Sequence, residues 1–313
     1  MSAASEITGA LLPLALLVAG GAALVRFGFY DDGFRRGLDR LVYWVALPAL
    51  IVGVLAGAPA AGVLGSVGRM AGVMCGATLL MAALVWGLAA ALRRPGGEAG
   101  VLAQAAFRGN LAFVGLPVIA LATGADEAVL AKAALVLAPT VVLYNVLAVA
   151  GLVGSQQRLS WALPWRMLRE LAVNPLLLAC VAGLTLWAAG VRIPGAVDAS
   201  LGLLGATAGP LALLSLGGAL VVRPVTRRVA GVAAWAAGLK CAAMPALVWG
   251  LSAAAGLGVD ERLVVMVFGA CPTAVASYVL AAQLRGDTAL AAAAVVLSTL
   301  ASGVGLGVVL AVV

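Results

Sequence analysis

The stretch AFRGNLAFVGLPVIALAT, Ala106–Thr123, sits in apolar surroundings yet carries Arg108, Gly109, Asn110, Gly115 and Pro117. Proline has no N–H and clashes with the carbonyl four residues back, so a helix through Pro117 must kink or break. In hydrocarbon an unpaired backbone group costs several kcal/mol, and a break survives only inside protein or beside a water-filled cavity. A broken membrane helix with an amide and a cation at the break points to a transport site. The plainer reading is a proline-kinked packing helix, which membrane proteins use often.

Working outward, the chain is 64% apolar and 10% charged, with a mean hydropathy of +1.16. Runs of about 20 apolar residues repeat along its whole length, as a polytopic membrane protein requires. Ten spans can be drawn: Ile7–Val25, Leu38–Gly57, Met70–Leu92, Ala99–Ala122, Glu127–Gly154, Met167–Gly190, Ala196–Val222, Val229–Gly256, Glu261–Leu284 and Thr288–Val312. The first is kept as a span because no basic n-region of a signal peptide precedes it. The four cysteines, Cys75, Cys180, Cys241 and Cys271, fall in apolar runs without CxxC spacing, so packing is their expected role. With no histidine in the chain, His-based metal sites, triads and proton relays are excluded. No cofactor or metal is expected, nor any nucleic-acid partner, because the net charge of +7 is spread over loops.

Placing the N-terminus outside puts 13 loop cations inside the cell and 4 outside, with Arg108 and Lys240 within spans. That asymmetry predicts a multi-pass protein of the cytoplasmic membrane with both termini outside. The polar break at Ser155–Arg158 divides the spans five and five, giving repeats 1–155 and 156–313. An odd number per half inverts the second repeat relative to the first, as in many secondary transporters. Pro13 and Pro175, Pro48 and Pro210, and Asn110 and Pro272 are each separated by 162 residues. The central stretch then has a counterpart, VFGACPTAVASYVLAAQ at Val267–Gln283, broken at Pro272. Half-helix N-termini at two such breaks carry partial positive charge and free N–H groups suited to a carboxylate or phosphate.

Single residues carry two readings each. Asn110 either caps the second half-helix or grips substrate, and the two are compatible. Arg108, early in its span, either snorkels to an interface or lines an anion path, with the structural role preferred. Lys240 is a functional candidate by default because of its depth, or a donor to carbonyls freed by a proline. Thr273 and Ser277 lie one turn apart after the second break, free to touch substrate or back-bond their own helix. Tyr144 and Asn145, inside the fifth span, are expected in interhelical hydrogen bonds or at the site. No Asp or Glu is expected in the interior of a span; Asp39, Glu127, Glu170 and Glu261 all read as span ends.

The order and spacing of five segments resemble the auxin efflux carrier family: Gly109–Pro117, NPLLLACVAGL at Asn174–Leu184, PLALLSLGGAL at Pro210–Leu220, LKCAAMPAL at Leu239–Leu247, and Pro272–Ala274 followed by LAAQLRGD. The resemblance covers essentially the whole chain. It implies an all-α membrane fold of ten helices in two inverted five-helix repeats, with broken crossover helices 4 and 9. Helices 1, 2, 6 and 7 would form a scaffold, through which a homodimer is expected, and helices 3–5 and 8–10 a moving transport domain. It further implies a small organic anion as substrate, gripped by Asn110 at a crossover that Pro117 and Pro272 shape, with Gly109 beside it. The charged support that plant carriers take from their third helix has no counterpart in Met70–Leu92. A sodium-coupled carrier of the bile-acid type is the alternative. An intramembrane enzyme would need a Ser–His pair, paired aspartates or HExxH, and none is present.

Overall fold

The computed structural model describes residues 3–57, 64–124, 126–155, 165, 169, 172–222 and 225–312. Within them the chain is all-α. In chain order the helices are α1 (Ala3–Arg26), α2 (Asp32–Ala56), α3 (Leu64–Ala91), α4 (Gly96–Phe107), α5 (Leu116–Ala122), α6 (Glu127–Ser155), α7 (Pro175–Ala188), α8 (Gly195–Val222), α9 (Arg227–Ala254), α10 (Val259–Ala270), α11 (Ala276–Gln283) and α12 (Thr288–Val312). Six of them, α2, α3, α6, α8, α9 and α12, are long and apolar enough to cross a membrane. At 1.5 Å per residue, the 25 residues of α2 span about 38 Å, more than a bilayer's hydrocarbon core.

Two of the predicted spans are broken, as the sequence reading expected, although the first breaks at a different place. Predicted span Ala99–Ala122 is interrupted at Arg108–Asn110, and Glu261–Leu284 at Cys271–Val275. The first break lies seven residues before Pro117. Pro117 itself is absorbed inside helix, because a five-residue π turn at Leu111–Gly115 precedes it. The same device, Val42–Ala46 before Pro48 and Leu239–Ala243 before Pro245, keeps α2 and α9 continuous. A π turn adds a residue to the winding and so accommodates the carbonyl that a proline ring would strike. The divide after Ser155 and the start of the predicted span at Met167, with Glu170, lie outside the described residues. In that region α7 begins only at Pro175, where Asn174 caps it by accepting from the N–H groups of Leu176 and Leu177. Proline is favoured there because a first-turn N–H has no helical partner.

Two sets of helices pack most extensively among themselves. One is α1, α2, α7 and α8; the other is α3, α4, α6, α9, α10 and α12. Glycine sets the closest approach in the first set. A Cβ on Gly217 would lie 1.9 Å from the Val18 carbonyl oxygen, and one on Gly21 2.0 Å from that of Leu214. Small residues allow such backbone contact between membrane helices. At one end of the bundle Glu98 takes Arg228 at 2.6 Å and Arg94 at 3.6 Å. At the other, Arg69 meets Glu261 at 3.7 Å and the Gly256 carbonyl at 3.2 Å.

Asp39 corrects the sequence reading. Helix α2 starts at Asp32, six residues ahead of the predicted Leu38, which carries Asp39 inward to 1% exposure. There it meets Arg35 on its own helix, Ser215 of α8 and Tyr278 of α11. A buried carboxylate is retained only with such partners, and the distant ones were invisible to local sequence.

Candidate functional site

The two interruptions meet. Asn110 N–H donates to the Pro272 carbonyl at 2.8 Å and Ala274 N–H to the Arg108 carbonyl at 2.9 Å, an antiparallel bridge centred on Gly109 and Thr273. Each break thereby satisfies backbone groups that the other exposes, as the absence of water in hydrocarbon demands. Remaining carbonyls are met by side chains. Thr273 Oγ1 donates to Ala105 O at 2.7 Å, Lys240 Nζ to Gly269 O at 2.8 Å, and Gln104 Nε2 to Ser277 O at 3.0 Å. Thr273 N–H, turned away from its helix, donates to Ser298 Oγ at 3.0 Å. Gly109 is tightly packed, since a Cβ would lie 3.0 Å from Leu111 Cδ2 and 3.2 Å from the Phe268 carbonyl, and those neighbours would have to give way by a few tenths of an ångström.

Beside this junction lies a cavity between α2, the first break, α6 and α8. Its walls are mostly aliphatic: Leu47, Ile51, Leu55, Val141 and Ala212 are typical. Arg108, Gly109, Asn110 and Tyr144 supply the polar part. Apolar walls with a few convergent polar groups are the lining expected of a pocket for a small organic molecule. Helix geometry leaves the first N–H groups after each break without intrahelical partners, and Leu111, Ala112, Phe113, Val275 and Ala276 all border the cavity.

The predicted site residues thus divide. Gly109, Asn110 and Tyr144 line the cavity. Asn110 is 5% exposed, and its side chain makes no capping bond; its backbone carbonyl instead accepts from Val114 and Gly115, both at 3.1 Å. Among the described residues its amide has no hydrogen-bond partner. Pro272, Thr273 and Lys240 build the junction without lining the cavity, and Lys240 takes the second of its two readings, donor to a freed carbonyl. Pro117 and Ser277 lie off the cavity wall as well. Asn145 stands one shell out, accepting from Arg108 Nη2 at 2.7 Å and donating to Cys180 Sγ at 3.4 Å.

Arg108 lies deeper than its early place in the span suggested. It does not snorkel: it is 5% exposed, on the cavity wall, with Nη1 lacking any partner among the described residues. None of the ion pairs among the described residues includes Arg108 or Lys240. The available signal was its position two residues from the amide that the family resemblance singled out.

The sequence matches the family described as membrane transport protein over residues 6–309. The chain belongs to that family. It includes the auxin efflux carriers and the bile-acid-symporter-like transporters, which makes this membrane transport protein a carrier rather than an enzyme. No curated protein matches the sequence significantly.

Proposed function

We propose that the protein moves a small carboxylate across the cytoplasmic membrane by alternating access, holding it where the two broken helices meet. The observation that carries this reading is the convergence on one apolar cavity of the unpartnered Asn110 amide, two half-helix N-termini and the buried Arg108 cation. Helix N-termini favour negative charge. A guanidinium without a carboxylate in a low-dielectric interior is costly until an anion joins it. Family membership supplies the transport activity itself.

The two packing sets support a division of labour, α1, α2, α7 and α8 standing still while the set holding the paired breaks moves. Ten crossings in two inverted repeats, with both termini outside, accord with the grouping of loop charges at the bundle's two ends. Exposed apolar residues on α7 and α8, among them Leu178, Val181 and Leu203, suit a second copy or lipid against the standing set.

A thermal-shift panel of mono- and dicarboxylates, followed by counterflow of the hits in proteoliposomes with and without sodium, tests the reading. A carboxylate that stabilises the protein and exchanges across the bilayer is expected. Exchange restricted to neutral or cationic solutes would refute it, and an absolute need for sodium would favour the symporter alternative.

A further inference from the structure

Asp39, Arg35, Ser215 and Tyr278 form a second buried polar cluster, and the substrate reading makes no use of it. Arg35 Nη1 donates to Asp39 Oδ2 at 2.9 Å and to Tyr278 Oη at 2.6 Å. Ser215 Oγ donates to Asp39 Oδ1 at 2.5 Å, and Tyr278 Oη faces Asp39 Oδ2 at 3.4 Å. Asp32 holds the other side of the guanidinium at 2.6 Å and also meets Arg36. Three helices contribute, α2 and α8 from one packing set and α11 from the continuation of a broken helix.

Such a cluster is a poor way to glue helices together permanently. Desolvating an ion pair cancels much of its attraction, and apolar residues of equal volume would hold as well or better. It is, however, a good way to hold them reversibly. Arg35 and Asp39 are one turn apart on the same helix, so the ion pair survives when Tyr278 departs. No charge is stranded on either side, and water can replace the phenol on both. An apolar contact of the same area would have to expose its whole surface to water on opening.

The position of the cluster gives the reversible contact a task. On α2 it precedes the π turn at Val42–Ala46, whereas the cavity lies against Leu47–Leu55, beyond that turn. On α8, Ser215 follows the cavity residue Ala212 by one turn. At the start of α11 the cavity touches Ala276 and, just ahead of the helix, Ala274 and Val275, and Tyr278 follows within the first turn. The cluster therefore closes the side of the cavity toward the start of α2. One eight-residue helix carries both the cavity's edge and the closing contact.

We infer that the Arg35–Asp39–Tyr278–Ser215 cluster is a latch that shuts the carrier on the face where α2 begins, released when α11 shifts with the cavity's occupant. The inference rests on the carrier reading but not on the identity of the substrate.

The test uses the full-length protein in proteoliposomes, with the four native cysteines replaced and Ala212→Cys introduced as a reporter. A membrane-impermeant maleimide is applied from each face in turn, and the ratio of the two labelling rates is measured. Tyr278→Phe removes the phenolic hydroxyl while keeping the ring. It should raise labelling from the latch face relative to the other by up to about tenfold, the effect of one net hydrogen bond. Ser215→Ala should move the ratio in the same direction and serves if Tyr278→Phe fails to fold. An unaltered ratio in both latch variants, with monodisperse protein, overturns the latch. Because the assay contains no substrate, that result leaves the carboxylate reading standing.

Discussion

Replacing Asn110 by alanine separates binding from folding at this junction. The backbone of Asn110 does structural work, donating to Pro272 O at 2.8 Å and accepting from Val114 and Gly115. None of these bonds involves the side chain, which makes no cap and borders the cavity. Deleting the amide therefore removes no bond that holds the apo fold, and the melting temperature should stay within about 2 °C of wild type, a shift that corresponds to about 1 kcal/mol in a chain of this length. Binding is another matter. A lost hydrogen bond to a charged partner costs about 1.5–3 kcal/mol, which is roughly ten- to a hundredfold in affinity. Asn110→Asp should do worse, because it sets a carboxylate against a carboxylate in a site of low dielectric. The assay is calorimetric titration with whichever carboxylate stabilises the wild type, alongside thermal unfolding of both variants. Normal affinity in Asn110→Ala, or a large fall in melting temperature with affinity intact, would refute the reasoning and move the site toward Arg108.

Thr273→Val should show the opposite pattern. It strips the donor from the buried Ala105 carbonyl, costing about 1–3 kcal/mol of stability, while the protein that remains folded binds substrate normally; unfolding and titration on one sample check both halves. Arg108→Gln should lower carboxylate affinity at least tenfold and affect a neutral amide analogue far less, a difference that competition binding reads directly. Gly217→Ala would place a Cβ 1.9 Å from the Val18 carbonyl and drive α1 off α8, so the yield of monodisperse protein should collapse. An unchanged elution profile would show that the two helices have room to separate.

Much of the architecture was legible from hydropathy and proline placement, because membrane spans announce themselves by length alone. The break at Pro272 was readable for the same reason. Pro117 misled, since a proline signals strain but not where the strain is relieved: a π turn absorbs it there, and the chain breaks instead at Arg108–Asn110. Asn110, which borders the cavity, was singled out by its neighbourhood of Gly109 and the following apolar run, and Tyr144, which also borders it, was read as either an interhelical hydrogen-bonder or a site residue. What the sequence could not display are partnerships across more than a hundred residues. Thr273 meets Ala105, and Asp39 is buried by Ser215 and Tyr278. Read along the chain, Asp39 looks like the wet end of a helix; only the packing of α8 and α11 over it makes it interior.

The mutual pairing of the two breaks has a consequence for how the protein is made. Asn110 leaves the ribosome 162 residues before Pro272, its backbone partner. Until the later segment emerges, Ala105 O, Arg108 O and the Asn110 N–H have no bond to make, and an arginine stands among them. Hydrocarbon is closed to such a segment, since each orphaned group costs several kcal/mol there. The first half of the chain must therefore wait, the segment around its break held in the insertion machinery, at a protein-lined interface or in a shallow watery seam, for the second half to arrive. Nascent chains stopped between the two breaks should thus be the forms most readily seized by quality-control proteases.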